Sequence, residues 1–452
     1  MEELASSKIA MMSDMHAAEG CTVGTSMTIG EYINPAFVGG DIGCGMQVFK
    51  LADKSIDFWK LDECIREKIP SGAKIYDRSV AGVKSVPLDV LHCYDFLRHE
   101  IVLKSFGTLG GGNHFIEVGR GIDDSLYLII HSGSRRLGRD VAQYHQVQAF
   151  FEQHGIDSEQ AHKKKIKVSD IKSNIHPADC FLSGENLKRY LHDMNIAVEY
   201  ASKSRINMGE VIVDTLDLTV DDSFTTIHNY IDVAAGVLRK GAVSAQKDER
   251  LLVPINMKDG SLLCVGKGNE EWNYTAPHGL GRIMKRSDVR EQFTMEEYRK
   301  EMEGIFTTSV GKSTLDESPM AYRRIEEILS AIEPTAEVLD VLTPVYNFKA
   351  SKPVVEKKLV EVDWGKTPDE LYIPKYKNYP KCGLLTDGTM IPPDQIRTLI
   401  EQEMAKFKGT HDMNIINHLR NYAELFPDSK WLSEEERIWL NRDDDDFVIY
   451  NY

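Results

Sequence analysis

The stretch LYLIIHSGSRRLG, residues 126–138, joins an unbroken apolar run to a polar, glycine-containing tail. Five consecutive apolar residues rich in β-branched and aromatic types read as a strand buried on both faces. The tail HSGSRRLG (131–138) reads as a polar loop at that strand's end, where binding residues tend to sit. His131 there is a candidate metal ligand, and Arg135 and Arg136 are candidate phosphate contacts. With no GxSxG elbow, a serine hydrolase is disfavoured. Working outward, VIV (211–213) and residues 262–265 read as further buried strands. Residues 187–204 read as a helix, with Leu187, Tyr190, Leu191, Met194 and Val198 along one face. Helices are also expected at 295–304 and 319–332. Strands and helices without a regular βαβ rhythm predict an α+β fold, with mixed sheets and peripheral helices.

The chain has 452 residues, enough for roughly two to four structural units. Apolar residues at 42% and charged residues at 27% exclude wholesale disorder. The formal charge of −16 argues against a protein that coats nucleic acid by bulk charge, though not against a local basic groove. Seven scattered cysteines without a CxxC argue against a disulfide framework and for a reducing cytoplasm. The N-terminal residues lack a signal-peptide core, and no run of 18 apolar residues is present, so no membrane partner is expected.

From Pro353 onward the composition shifts. Residues 353–452 hold seven of 16 prolines and three of five tryptophans, with 13 Lys/Arg against 19 Asp/Glu. Residues 1–352 are therefore read as the core and 353–452 as a C-terminal appendage. Within it, 353–393 should be extended and 394–407 helical.

Four further stretches gather metal-ligand and phosphate-binding residue types. GGDIGCGM (39–46) sets Asp41 and Cys44 three apart in a glycine-rich turn, where a carboxylate and a thiolate can face one ion. GGGNHFIE (110–117) offers backbone N–H groups together with Asn113, His114 and Glu117, but lacks the Lys-Ser/Thr ending of a Walker loop. TTIHNY (225–230) carries His228 and Asn229. APHGLGRIMKR (276–286) carries His278 amid open backbone, followed by Arg282, Lys285 and Arg286. Each alone reads equally as a turn, a buried cysteine or a satisfied histidine. Together, one cysteine, one aspartate and several histidines suit a borderline ion such as Mn²⁺, Zn²⁺, Co²⁺ or Ni²⁺, with Cys44 as a bridge if there are two. The arginines and glycine loops favour a phosphate substrate.

In their order these stretches resemble the RtcB family of GTP-dependent RNA ligases, whose pattern includes DIGCGM, GNHFxE, HSGSR, HNY and HGxGRxM. RKGAVSA (239–245), VGKGN (265–269) and DESPMAYRRIEEIL (316–329) are similar too. The resemblance runs from Asp14 to Lys349, roughly three quarters of the chain, and Lys349 ends the chain in the resembled family. It implies two Mn²⁺ ions held by Asp41, Cys44, His114, His131 and His228, with Cys44 shared. It implies His278 as the nucleophile that takes GMP from GTP. Glu117 and Lys349 would meet the guanine edge and Tyr322 would stack on it. Asn113, His114, Asn229, Pro254, Asn256, Met257, Ser261, Gly279, Leu280 and Gly281 would line the nucleotide. The RNA partner would offer a 3′-phosphate or 2′,3′-cyclic phosphate end and a 5′-hydroxyl end, in repair or splicing. The chain departs from the family at Arg136, Leu280, Lys285 and Pro254–Met257, which bears on substrate preference and on a need for an activating protein. Lysine-nucleophile ligases carry KxDG, which this chain lacks. Two readings stand beside the ligase: a metal-dependent phosphohydrolase or nuclease without a covalent nucleotide, and a non-catalytic RNA-end binder.

Overall fold

A computed structural model describes residues 2–18, 20–157, 171, 176 and 179–351. The chain divides into two units, Met1–Val355 and Glu356–Tyr452. The extended stretch expected at 353–393 and the helix expected at 394–407 lie outside the described residues.

The strands are β1 (Ile9–His16), β2 (Val23–Thr28), β3 (Tyr32–Ile33), β4 (Gly45–Leu51), β5 (Phe115–Arg120), β6 (Leu126–Ser132), β7 (Leu182–Ser183) and β8 (Val220–Ile227). They continue with β9 (Asn229–Asp232), β10 (Val237–Lys240), β11 (Ala242–Ser244), β12 (Arg250–Asn256), β13 (Gly260–Gly266), β14 (Thr275–Pro277) and β15 (Ala336–Lys349). The α-helices are α1 (Phe58–Lys68), α2 (His99–Ser105), α3 (Arg135–Gln153), α4 (Gly184–Leu216), α5 (Arg286–Gln292), α6 (Met295–Glu301) and α7 (Ile325–Ile332).

This is an α+β fold, built on a seven-stranded sheet in the order β12-β13-β15-β5-β6-β4-β8. Every strand pairing in it is antiparallel, where mixed sheets were expected. Residue pattern alone does not separate the two, because a strand covered on both faces reads the same in either. The strand that opened the reading, β6, lies between β5 and β4 and is buried at every position. Leu126, Leu128 and Ile130 enter an apolar cluster with Leu61 and Ile65 of α1 and Met208 and Ile212 of α4. Ile129 and Tyr127 face the other way, against Met46, Val48 and Leu252. Period-2 alternation thus feeds two cores from one strand. A second sheet, β1-β2-β10-β9, and the pair β11-β14 carry the remaining site residues.

The helix expected at 187–204 belongs to the 33-residue α4, whose buried side includes Tyr190, Tyr200 and Arg205. It packs one face against the core along its length. Residues 211–213, expected as a strand, are the last turns of this helix. Three apolar residues in a row satisfy either period, and Ile212 packs one turn beyond Met208 on the helix's inner stripe. The expected 319–332 helix is broken. A 3₁₀ turn at Pro319–Ala321 gives way to extended backbone at Tyr322 (φ −113°, ψ 162°), and α7 starts at Ile325. The 295–304 expectation is met by α6, whose capping box pairs Thr294 Oγ1 with Glu297 N at 3.2 Å and Glu297 Oε2 with Thr294 N at 2.8 Å. The loop expected at 131–138 is short, since α3 begins at Arg135. Among the described residues, no helix is long and apolar enough to cross a membrane.

Where α4 crosses β4, Gly209 leaves room for the Phe49 ring, and a Cβ there would overlap ring carbons. Gly209→Ala should lower the urea midpoint of unfolding. Overpacking typically costs about 1–3 kcal/mol and outweighs the roughly 1 kcal/mol that alanine gains in a helix. A raised midpoint would mean that the ring moves aside freely.

Candidate active site

Four neighbouring strands, β5-β6-β4-β8, bring the candidate ligands to one sheet end. His131 of β6 faces Phe115 of β5 on one side and Met46 of β4 on the other. His114 precedes β5, Cys44 precedes β4 and His228 follows β8, with Gly45 opposite both Ser132 and Ile227. Antiparallel neighbours place the starts of β4 and β5 beside the ends of β6 and β8, about 4.8 Å apart per strand. Side chains separated by up to 184 positions in the sequence (Cys44 to His228) become neighbours in this way.

Cys44 Sγ lies 3.2 Å from His131 Nε2 and 3.5 Å from His114 Nε2. The Nε2 atoms of His131 and His228 are 3.3 Å apart, and His114 Nε2 is 3.4 Å from Asp41 Oδ2. Two triads result, Cys44-His131-His228 and Asp41-Cys44-His114, each with ligand atoms within 4.8 Å of one another and both containing Cys44. The ligand-bearing loops are tied from behind. Fully buried Arg205 of α4 donates to Gly43 O at 2.7 Å and Ser132 O at 2.8 Å. Asn229 Nδ2 donates to Val38 O at 3.0 Å and Asp41 O at 2.7 Å, so its amide orders the Asp41 turn. Gly133 admits the Asp41 carboxylate, which a Cβ would overlap.

The electrostatics suit a cation. Burial holds His131 and His228 well below the usual imidazole range, and neighbouring imidazoles add to the effect. Both are therefore neutral near pH 7, as ligands must be. His114 Nδ1 is 2.8 Å from Leu109 O, which only accepts, so Nδ1 carries the proton and Nε2 presents its lone pair. Burial, then the Asp41 charge, pushes the Cys44 thiol well above its usual range. A bound cation reverses that balance. Against the cost of desolvation, the facing His114 imidazole and the nearby Arg135 charge hold Asp41 below the usual carboxylate range. A thiol, three imidazole nitrogens and a half-exposed carboxylate, gathered in two triads, fit a borderline divalent ion.

His278 follows β14, which the β11-β14 pair holds beside the cluster. Its Nδ1 lies 2.6 Å from Oδ2 of Asp14, a fully buried residue of β1. The same oxygen accepts from the His278 and Gly279 backbone N–H groups, both at 3.1 Å. The carboxylate thus holds the Nδ1 proton and leaves Nε2 free. The His278 ring centroid is 5.0 Å from that of His228. Gly281, at φ +79°, lets the loop close on Asp14, whose Cα would be 3.0 Å from an added Cβ. The residue reading above missed the role of Asp14. Its signal was present: in β1, Ala10, Met12 and Asp14 are buried while Ile9, Met11 and Met15 are exposed, so an acid occupies an inward position.

Next to this cluster, β15 pairs with β5, setting Lys349 opposite Phe115 and Asn347 opposite Glu117. Glu117 Oε2 accepts from Asn347 Nδ2 at 2.9 Å, and the buried Ser261 hydroxyl lies close enough to act on the same carboxyl group. Burial raises Glu117 to about 8, partly offset by Asn347 and Lys349. Lys349 Nζ lies 3.1 Å from Glu317 Oε2 and 3.3 Å from Asn113 O. Tyr322 donates to Glu317 at 2.9 Å, and the Arg282 guanidinium covers its ring at 5.1 Å.

Other expected residues are engaged elsewhere. Asn256 uses Oδ1 and Nδ2 within its own hairpin turn, on Lys258, Asp259 N and the Asp259 carboxylate. Met257 packs with Tyr298 and Met302, and Leu280 enters the cluster of Val243, Leu251 and Ile328. Pro254 O lies alongside Gly279. Arg136 is paired with Asp140 at 2.7 Å, and Arg286 with Asp316 and Glu317 at 2.9 and 2.6 Å.

Residues 3–92 and 97–350 match the family model described as tRNA-splicing ligase RtcB. The chain is 28% identical to RNA-splicing ligase RtcB1 of Escherichia coli ATCC 25922, over 75% of this chain and 88% of that protein. It is 27% identical to RNA-splicing ligase RtcB of Escherichia coli K12, with the same coverage. It is 25% identical to tRNA-splicing ligase RtcB of Aeropyrum pernix, over 70% of this chain and 82% of that protein. A match that spans nearly the whole described core, on a fold that gathers every expected ligand at one sheet end, decides the assignment: the chain belongs to the RtcB family.

Proposed function

We propose that this RNA ligase joins an RNA 3′-phosphate end to a 5′-hydroxyl end through a guanylylated His278, using GTP as co-substrate and two Mn²⁺ ions. The observation that carries the reading is the Asp14–His278 pair, in which Nδ1 is engaged by the carboxylate and the ring lies 5.0 Å from that of the candidate ligand His228. Asp41, Cys44, His114, His131 and His228 would hold the ions, with Cys44 common to both sites. When bound, the ions supply Lewis-acid stabilisation of charge on the phosphate oxygens.

His278 Nε2 attacks the α-phosphorus of GTP, the bond to the β-phosphate oxygen breaks, and pyrophosphate leaves. The ring gains positive charge as the N–P bond forms, and Asp14 stabilises it through Nδ1–H. The RNA 3′-phosphate then takes the GMP from His278. The 5′-hydroxyl of the second RNA end attacks that activated phosphate, and GMP leaves. A 2′,3′-cyclic end is first opened by water to the 3′-phosphate. Residues 1–352 carry this chemistry, while 353–452 shape RNA choice or the docking of an activating protein. The compartment in this reading is the cytoplasm, which seven scattered cysteines without a CxxC support.

Incubating the pure protein with α-³²P-GTP, Mn²⁺ and RNA bearing the two ends should yield labelled protein and joined RNA. Joined or cleaved RNA with no labelled protein would favour the phosphohydrolase or nuclease reading.

Glu117 and Lys349 suit the guanine edge: a buried carboxylate for N1–H and N2–H, and an ammonium for O6. A Glu117 raised to about 8 is mostly protonated at pH 6 and must lose its proton to accept from guanine. The KM for GTP should therefore fall as pH rises from 6 towards 8, by up to about tenfold per unit, and level off above. Glu117→Gln should flatten that profile. A pH profile of KM unaltered by the substitution would remove Glu117 from guanine recognition.

A further inference from the structure

We propose that Glu317 is the positioning residue that sets preference for guanine over adenine, by fixing the Lys349 ammonium so that one N–H is left for the base. The inference rests on the reading above and names the origin of its nucleotide selectivity. An ammonium has three N–H donors. In Lys349 one is directed to Glu317 Oε2 at 3.1 Å and one to Asn113 O at 3.3 Å. Its side chain is 6% exposed, and beyond these two acceptors the ammonium lies over the Phe115 ring, 5.5 Å from the centroid. A ring face is a weaker partner for a buried N–H than an oxygen, so the third N–H favours an acceptor on a ligand.

Glu317 is equipped to hold that geometry. Oε2 accepts from both Lys349 and the Tyr322 hydroxyl, joining the group expected at the base edge to the ring expected on the base face. Oε1 accepts from Arg282 at 3.4 Å and pairs with Arg286 at 2.6 Å. Burial opposes its ionisation, but Lys349, Arg286 and Arg282 outweigh that and hold Glu317 at about 2, so its charge persists at any working pH. Without this anchor a lysine stem has many rotamers to lose on binding. The chemistry of discrimination follows. Guanine presents an acceptor at position 6 and adenine an amino group, so a fixed N–H rewards the first and meets a second donor in the other.

Glu317→Gln keeps the shape and removes the charge. Initial rates of protein labelling over a range of α-³²P-GTP and α-³²P-ATP concentrations would give kcat and KM for each. The expected result is a KM for GTP raised at least about tenfold, with the GTP:ATP ratio of kcat/KM lowered by a similar factor. Glu317→Asp should recover part of the preference. Tyr322→Phe, which removes one donor to the same oxygen, should shift the ratio less in the same direction and decides the matter if Glu317→Gln does not fold. A merely structural Glu317 would lower labelling by both nucleotides equally, and an unchanged ratio overturns the proposal. A wild-type protein that takes no label from GTP counts instead against the ligase reading, and this proposal falls with it.

Discussion

His278→Ala should yield a protein that takes no label from α-³²P-GTP while keeping its fold and its metal. The loss is total because the covalent bond is made at Nε2, and alanine offers no nucleophile. The fold should survive. Asp14 Oδ2 keeps two of its three donors, the backbone N–H groups of residues 278 and 279, so the buried carboxylate is not stranded. The five candidate ligands do not include this residue, so Mn²⁺ content should match the wild type. Autoradiography of the denatured protein and elemental analysis of the native protein read the two halves separately. A labelled variant would place the nucleophile elsewhere.

The second large effect is at Cys44. It belongs to both ligand triads, so Cys44→Ala should lose most bound Mn²⁺ and all ligation. A carboxylate or imidazole lost from one triad would leave the other intact, whereas the shared thiol has no substitute. Cys264→Ala is the control. That thiol is buried in the apolar cluster of Val243, Leu251 and Ala276, and burial raises it to about 12, so it stays a neutral packing group. Its variant should keep wild-type metal at a modest stability cost of about 1 kcal/mol. Equal metal content in the two variants would contradict the shared role of Cys44.

Much of the fold and of the candidate site could be read from residue type and spacing. LYLII is a strand because a continuous apolar run suits a position covered on both faces, and β6 occupies one. The 187–204 periodicity marks α4, although the helix continues to Leu216 through residues whose apolar run satisfies either period. Glycine-rich stretches drew attention to Asp41, Cys44, His114, His131, His228 and His278, because chemistry-bearing side chains beside open backbone stand out in a sequence.

Partnership was not legible. Asp14 and His278 are 264 positions apart, and their bond depends on where β1 and β14 come to lie. Glu317 looks like any acid in DESPMAY until β15 brings Lys349 to it across 32 positions. Arg136 and Arg286 looked like phosphate contacts, yet each is paired with a carboxylate, Asp140 for the first and Asp316 and Glu317 for the second. Asn256 looked like a nucleotide contact, yet its own turn uses both ends of its amide.

By itself, then, the sequence determined the inventory of donors, the α+β class and the family, since these depend on residue type and local period. Tertiary structure alone decided that Asp14 engages Nδ1 of His278, that Arg205 and Asn229 tie the ligand-bearing loops, and that one carboxylate ties Lys349 to Tyr322. The physical reason is that a side chain's chemistry is local, while its protonation, orientation and partner depend on burial and strand register, which arise only when distant segments pack.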